Sequence, residues 1–134
     1  MRVVFNTNVL IAAFATEGLC ATLLRRARKG QFQLLLLPII LQEFERVLRR
    51  KLAASPGEVR EALGLLQEAG VLTTAEPAVS PSVCRDRADD RILASAVSAR
   101  AEFLVTGDDD LLDLHAFQRV RILRPRDFEA LFSD

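Results

Sequence analysis

MRVVFNTNVLIAAF (1–14) is the stretch on which the reading of this chain turns. Val3-Val4-Phe5 is apolar without alternation, which suits a short strand covered on both faces, as in a parallel sheet. The polar triplet Asn6-Thr7-Asn8 follows, and then a second apolar run, Val9 to Phe14. A polar triplet between two buried segments needs a reason, and so does an amide at its head.

The same kinds of segment recur downstream. Gly18 to Lys29 reads as a helix, with Leu19, Leu23, Leu24 and Ala27 as its apolar stripe. Arg25, Arg26, Arg28 and Lys29 load its C-terminal end, where the dipole favours cations, and Gly30 stops it. Phe32 to Leu37 predicts a second buried strand. Pro38 then opens a helix on which Leu41, Phe44, Val47, Leu48 and Leu52 recur at helical spacing. Ser55 and Pro56 start another, reaching Gly70 through Leu63, Leu65 and Leu66. Val71 to Thr74 predicts a short strand, and Glu76 to Ser82, with Pro77 and Pro81, a surface connection. Asp89 or Asp90 opens a helix carrying Ile92, Leu93, Ala96 and Val97. Phe103 to Thr106 is the next strand, ending at Gly107, and Val120 to Leu123 another. Pro125-Arg126-Asp127-Phe128 begins a short last helix. Strands alternating with helices imply right-handed crossovers and a parallel sheet covered on both faces. With no repeat and no linker, residues 1–134 read as a single domain.

Composition narrows the function. Half of the residues are hydrophobic, enough for a real core, and Lys+Arg balances Asp+Glu at 18 each. Zero net charge excludes a general, charge-driven nucleic-acid binder and leaves room for a local basic rim. Arg25 to Lys29 and Arg46 to Lys51 read first as solvated helix faces. Cys20 and Cys84 stand far apart without a CxxC pattern, so reduced thiols are expected. The triplet at 6–8 breaks the early apolar region, so the start is read as mature. The run Leu34 to Leu41 is far short of the ~20 residues that span a bilayer. The expectation is a cytoplasmic protein without a membrane segment.

In open parallel sheets the functional crevice lies beyond the carboxyl ends of the strands. Asn6-Thr7-Asn8 falls there, as do Asp86 to Asp90 and Asp108-Asp109-Asp110, and Glu43 sits about one turn into the helix after the second strand. Singly, each acid is better explained as a cap, a turn residue or the partner of a nearby arginine. Jointly they are not, because two carboxylates at 4 Å repel by about 4 kcal/mol at an effective dielectric of 20. Such a cluster needs protons, basic partners or a divalent metal, and oxygen ligands favour Mg²⁺ or Mn²⁺. The matching chemistry is metal-assisted phosphodiester hydrolysis. His115 is the only histidine, and no serine or cysteine comes with an evident base.

These residues together resemble the PIN-domain family, in particular the VapC-like ribonuclease toxins of toxin–antitoxin pairs. The family's opening strand followed by Asp-Thr-Asn-Val-Leu is matched by Val3-Val4-Phe5-Asn6-Thr7-Asn8-Val9-Leu10. Its mid-chain Glu is matched by Glu43 in LQEFERVL, its third acid by Asp90 in CRDRADDRILASA, and its last by Asp108 in LVTGDDDLL, with Asp110 as a helper. Arg124-Pro125-Arg126-Asp127-Phe128 is similar to the tail of one PIN subgroup. The resemblance implies a three-layer α/β/α sandwich around a mostly parallel sheet of four to five strands. It further implies Mg²⁺ or Mn²⁺, cleavage of single-stranded RNA, an antitoxin partner and a homodimer or higher homo-oligomer. The catalytic set it implies is Asn6, Glu43, Asp90 and Asp108, with Asn6, Asp90, Asp108 and Asp110 at the metal and Thr7, Asn8 and Thr106 in support.

Asn6 departs from that pattern. An amide accepts a hydrogen bond but supplies no charge, so metal binding and turnover are expected to be impaired. Two origins fit it: a natural change, or an isosteric exchange that silences a toxic enzyme. The alternatives to a nuclease are a non-catalytic PIN-fold binding or dimerisation module and a haloacid-dehalogenase-like phosphatase. The latter ranks lower, because an Asp-x-Asp nucleophile motif would here read Asn6-x-Asn8.

Overall fold

The computed structural model describes residues 1–74 and 82–133. Strand β1 (Arg2–Phe5) runs straight into helix α1 (Thr7–Ala15), so the apolar run after the triplet is helical. Helix α2 (Leu19–Arg28), strand β2 (Gln33–Leu36) and helices α3 (Pro38–Arg50) and α4 (Pro56–Ala69) follow within a residue or two of expectation. Ser55 closes a full capping box: its hydroxyl accepts from the Glu58 N–H while the Glu58 carboxylate accepts from the Ser55 N–H. Those bonds hold the Glu58 carboxyl below its ordinary pKa.

Strand β3 (Gly70–Leu72) ends the first half. The predicted connection at 76–82 lies outside the described residues, except for Ser82, which is exposed. Helix α5 (Arg87–Ser98) is capped by Asp86, ahead of the Asp89 or Asp90 start read from the sequence. Strand β4 (Phe103–Val105), helix α6 (Asp109–Leu112), strands β5 (Ala116–Phe117) and β6 (Val120–Leu123) and helix α7 (Pro125–Glu129) complete the chain.

The strands form one sheet in the order β3-β2-β1-β4-β6-β5. Every pairing is parallel except β5 with β6. Six strands replace the expected four to five, because β5, with two residues, is too short to show a period in sequence. His115 and Gln118, both at positive φ, bracket that strand. Right-handed crossovers place α1 to α4 on one face and α5 and α6 on the other. Val3, Val4 and Phe5 are accordingly buried whichever way they point.

The last helix is pinned from two sides. Phe128 lies edge-on to Phe5, Phe32 and Phe132, with centroids 5.1 to 6.2 Å apart. The buried Arg26 guanidinium grips Glu129 through both carboxylate oxygens, at 2.9 and 2.5 Å, and stacks over Phe132. Glycine is required at one strand start. A Cβ at Gly70 would lie 2.7 Å from the Leu34 carbonyl oxygen on the paired strand, and backbone cannot yield as a side chain does. Gly70→Ala is therefore expected to cost about 1–3 kcal/mol, read as a lower midpoint in urea unfolding with an unchanged slope.

Candidate active site

β1 and β4 are neighbours, and the chain leaves β1 first toward β2 and later returns on its other side to β4. Their carboxyl ends form the switch point at which open α/β sheets place a site. Asn6 stands at the end of β1. Its N–H donates to the Val105 carbonyl at 2.9 Å, carrying the pairing one residue past the strand. Its side chain bonds in two directions. Oδ1 accepts from the Thr7 N–H at 2.8 Å and so caps α1; Nδ2 donates to Thr106 Oγ1 at 2.9 Å. Thr106 is completely buried, and its hydroxyl also accepts from the Asp108 N–H at 3.1 Å. Asn8 Oδ1 accepts from the Gly107 N–H at 3.4 Å. Asn6 and Asn8 with Thr106 and Gly107 thus knit the β1 and β4 ends together, whereas Thr7 gives only its N–H to the Asn6 cap.

A cavity of about 460 Å³ opens over this junction. Asn6, Thr7 and Asn8 line it with Glu43 of α3, Asp89 of α5 and Asp108. Glu43 also pairs with Arg46 one turn on, at 3.6 Å. Asp108 caps α6 through the Asp110 N–H at 2.9 Å. Asp110 and Asp109 are exposed and do not line the cavity; Asp109 pairs instead with Arg124.

The structure parts Asp90 from this group. Its Oδ1 accepts from the Val83 and Cys84 N–H groups at 3.1 and 2.9 Å, tying down the segment before α5. Burial works to raise its pKa, but those N–H groups prevail and hold it below the ordinary value. Asp89 lines the cavity in its place. Burial pushes Asp89 up to about 6, reinforced by the charges of Asp108, Asp86, Glu43 and Asp110. Helical spacing does not separate the two acids, because Leu93, completely buried, lies four residues from Asp89 and three from Asp90, and both acids are buried. Lys51 and Asp86 also line the cavity and were not among the expected site residues. Cys84 brings no nucleophile. Burial, then its bond to Asp90 and the nearby acids, pushes its thiol up to about 12.

The residues present do not fit a divalent cation as they stand. Asp89 and Asp108 offer charge, and Thr7 Oγ1 is buried without a hydrogen-bond partner. Yet among the described residues no three His, Cys, Asp or Glu side chains converge as a set able to hold a metal. Position 6 presents an amide whose oxygen is spent on the α1 cap.

A PIN-domain family model matches residues 2–110, and the chain belongs to that family. PIN domains are generally nucleases and generally use divalent metals. Among solved structures, the chain is similar to one in VapBC2 from Rickettsia felis bound to a DNA fragment from its promoter. The TM-score is 0.64 at 13% identity, over 91% of this chain and 97% of that one, a likeness of fold. No curated protein sequence matches. Among the described residues no single helix is long and apolar enough to cross a membrane.

The raised Asp89 pKa fixes a pH dependence. The unfolded carboxyl ionises near 3.8 and the folded one near 6. Between those values the native state binds the extra proton, so Asp89's contribution to stability falls as pH rises through this window and stays unfavourable above it. Asp89→Asn is therefore expected to stabilise the protein by about 1–2 kcal/mol at pH 8. The gain should fade as pH drops through the window, as thermal melts of both forms from pH 4 to 8 will show.

Proposed function

We propose that this chain is a PIN-type endoribonuclease scaffold for single-stranded RNA whose cleavage is disabled at position 6. The observation that carries the reading is that Glu43, Asp89 and Asp108 all line the cavity beside Asn6. The family's Mg²⁺ or Mn²⁺ chemistry needs anionic oxygens there, and the one residue at the β1 end is neutral. Asp89, rather than Asp90, is the third acid of the proposed set, because Asp89 lines the cavity while Asp90 Oδ1 holds the Val83 and Cys84 N–H groups. The proposal includes an antitoxin partner and a homodimer or higher homo-oligomer in the cytoplasm. Its support is the resemblance to toxin members and the shared fold with a VapBC2 chain.

A second reading is favoured by one specific observation. The Asn6 amide bonds in both directions, to the start of α1 and to Thr106, holding β1, α1 and the β4 end together, which suits a PIN fold kept for binding alone. Restoring the acid separates the two. Asn6→Asp is expected to tighten Mn²⁺ binding at least about tenfold, by analogy with the loss when a metal site's support is removed. It is also expected to switch on cleavage of single-stranded RNA in the presence of Mn²⁺. Titration calorimetry and a cleavage assay on both forms measure this; no change in either supports the binding module.

A further inference from the structure

The motif Arg124-Pro125-Arg126-Asp127-Phe128 has two halves, and the fold uses only one of them. Pro125 begins α7, and Phe128 is completely buried in the phenylalanine cluster. Arg124 and Arg126 are exposed and contribute nothing to that core. They line a second cavity, of about 610 Å³, whose apolar walls are Ala12, Leu19 and Pro125.

This cavity adjoins the acidic one. Ala12 lines both, and Gly107 of the second immediately precedes Asp108 of the first. Both sit at the carboxyl edge of the sheet, one beyond β1 and β4, the other beyond β4 and β6. The charge changes sign across that short distance. The arginines are also available to a ligand. Arg124 pairs with Asp109 at 3.3 Å, with the two side chains 58% and 79% exposed. A pair that open is worth less than about 1 kcal/mol and exchanges readily for a phosphate. Arg126 makes no ion pair among the described residues.

We propose that Arg124 and Arg126 form a phosphate clamp for single-stranded RNA, holding the nucleotide next to the one over the acidic cavity. The clamp rests on the nuclease-scaffold reading for its substrate class. Guanidinium groups take the phosphate oxygens in pairs, and the walls of Leu19 and Pro125 give an unpaired base an apolar surface. The acidic cavity alone would repel a polyanion. A neighbouring pair of cations supplies the attraction that a chain of zero net charge otherwise lacks.

The test is fluorescence anisotropy with an end-labelled, mixed-sequence single-stranded RNA of about ten nucleotides, in EDTA, across a salt series. Arg124→Gln/Arg126→Gln is expected to weaken binding at least fivefold. It should also flatten the plot of log affinity against log salt by about 1.4, the value for two phosphate contacts on a single strand. Arg126→Gln alone breaks no ion pair and should flatten it by about half as much. Arg28→Gln, on the exposed side of α2, serves as the control. Unchanged affinity and slope in the double variant, an equal loss in the control, or no binding by the parent chain overturns the clamp. Cleavage by Asn6→Asp reports separately. Arginine-dependent binding without restored cleavage keeps the clamp and removes the nuclease; restored cleavage with arginine-independent binding does the reverse.

Discussion

Everything at the functional end of this molecule depends on β1 and β4 being neighbours that the chain leaves in opposite directions. No crossover covers the gap between their carboxyl ends, so the backbone there must find its partners locally. Asn6 N–H takes the Val105 carbonyl, and Thr106 N–H takes the Leu123 carbonyl of β6. The side chains of the same two residues then bond to each other. A short polar stretch between two apolar runs is what this junction demands: the strand ends buried, the helix begins buried, and the turn between them carries the polar bonds of both.

The acids around the junction illustrate how a structural and a chemical role can be one role. Asp86 and Asp108 cap helices, and Glu43 keeps an arginine within reach, yet all three line the cavity. Helix N-termini tolerate anions, so capping brings carboxylates together at lower cost than a bare cluster would incur. Asp89 has no such cap to fill, and it carries the strain of the group in its raised pKa. A neutral residue at position 6 lowers that repulsion further, so the chain with Asn6 has less need of a counter-ion than an all-acid set would.

The architecture was largely legible because its signals are periodic or covalent. Prolines 38, 56 and 125 each stand at a helix start, and the unalternating runs at 3–5 and 34–36 are strands covered on both faces. Strand β5 and helix α6 were not, since two and four residues are too few to show a period. Of the acids, Asn6, Glu43 and Asp108 stood where the strand ends and the family motif put them. The motif match pointed to Asp90, yet Asp89 lines the cavity, and adjacent residues on a helix differ by about 100° in direction, which a motif match alone cannot resolve. What decides between them is the loop at Val83 and Cys84, whose N–H groups claim Asp90. Lys51, Arg124 and Arg126 were not singled out as site residues, because a cation at the end of a helix or strand looks like ordinary solvated charge until the cavity beside it is seen.

Thr106 shows what the amide at position 6 means atom by atom. Its hydroxyl accepts from Asn6 Nδ2 and from the Asp108 N–H, so both oxygen lone pairs are taken and the hydroxyl proton is left over. With a carboxylate at position 6 the same oxygen would give its proton to the acid. Replacing one oxygen by NH₂ therefore leaves the outline of the junction intact and reverses the polarity of the bond that joins its two strands. The exchange of a charged for a neutral residue at position 6 is registered, in this fold, by the direction in which a single buried hydroxyl points its hydrogen.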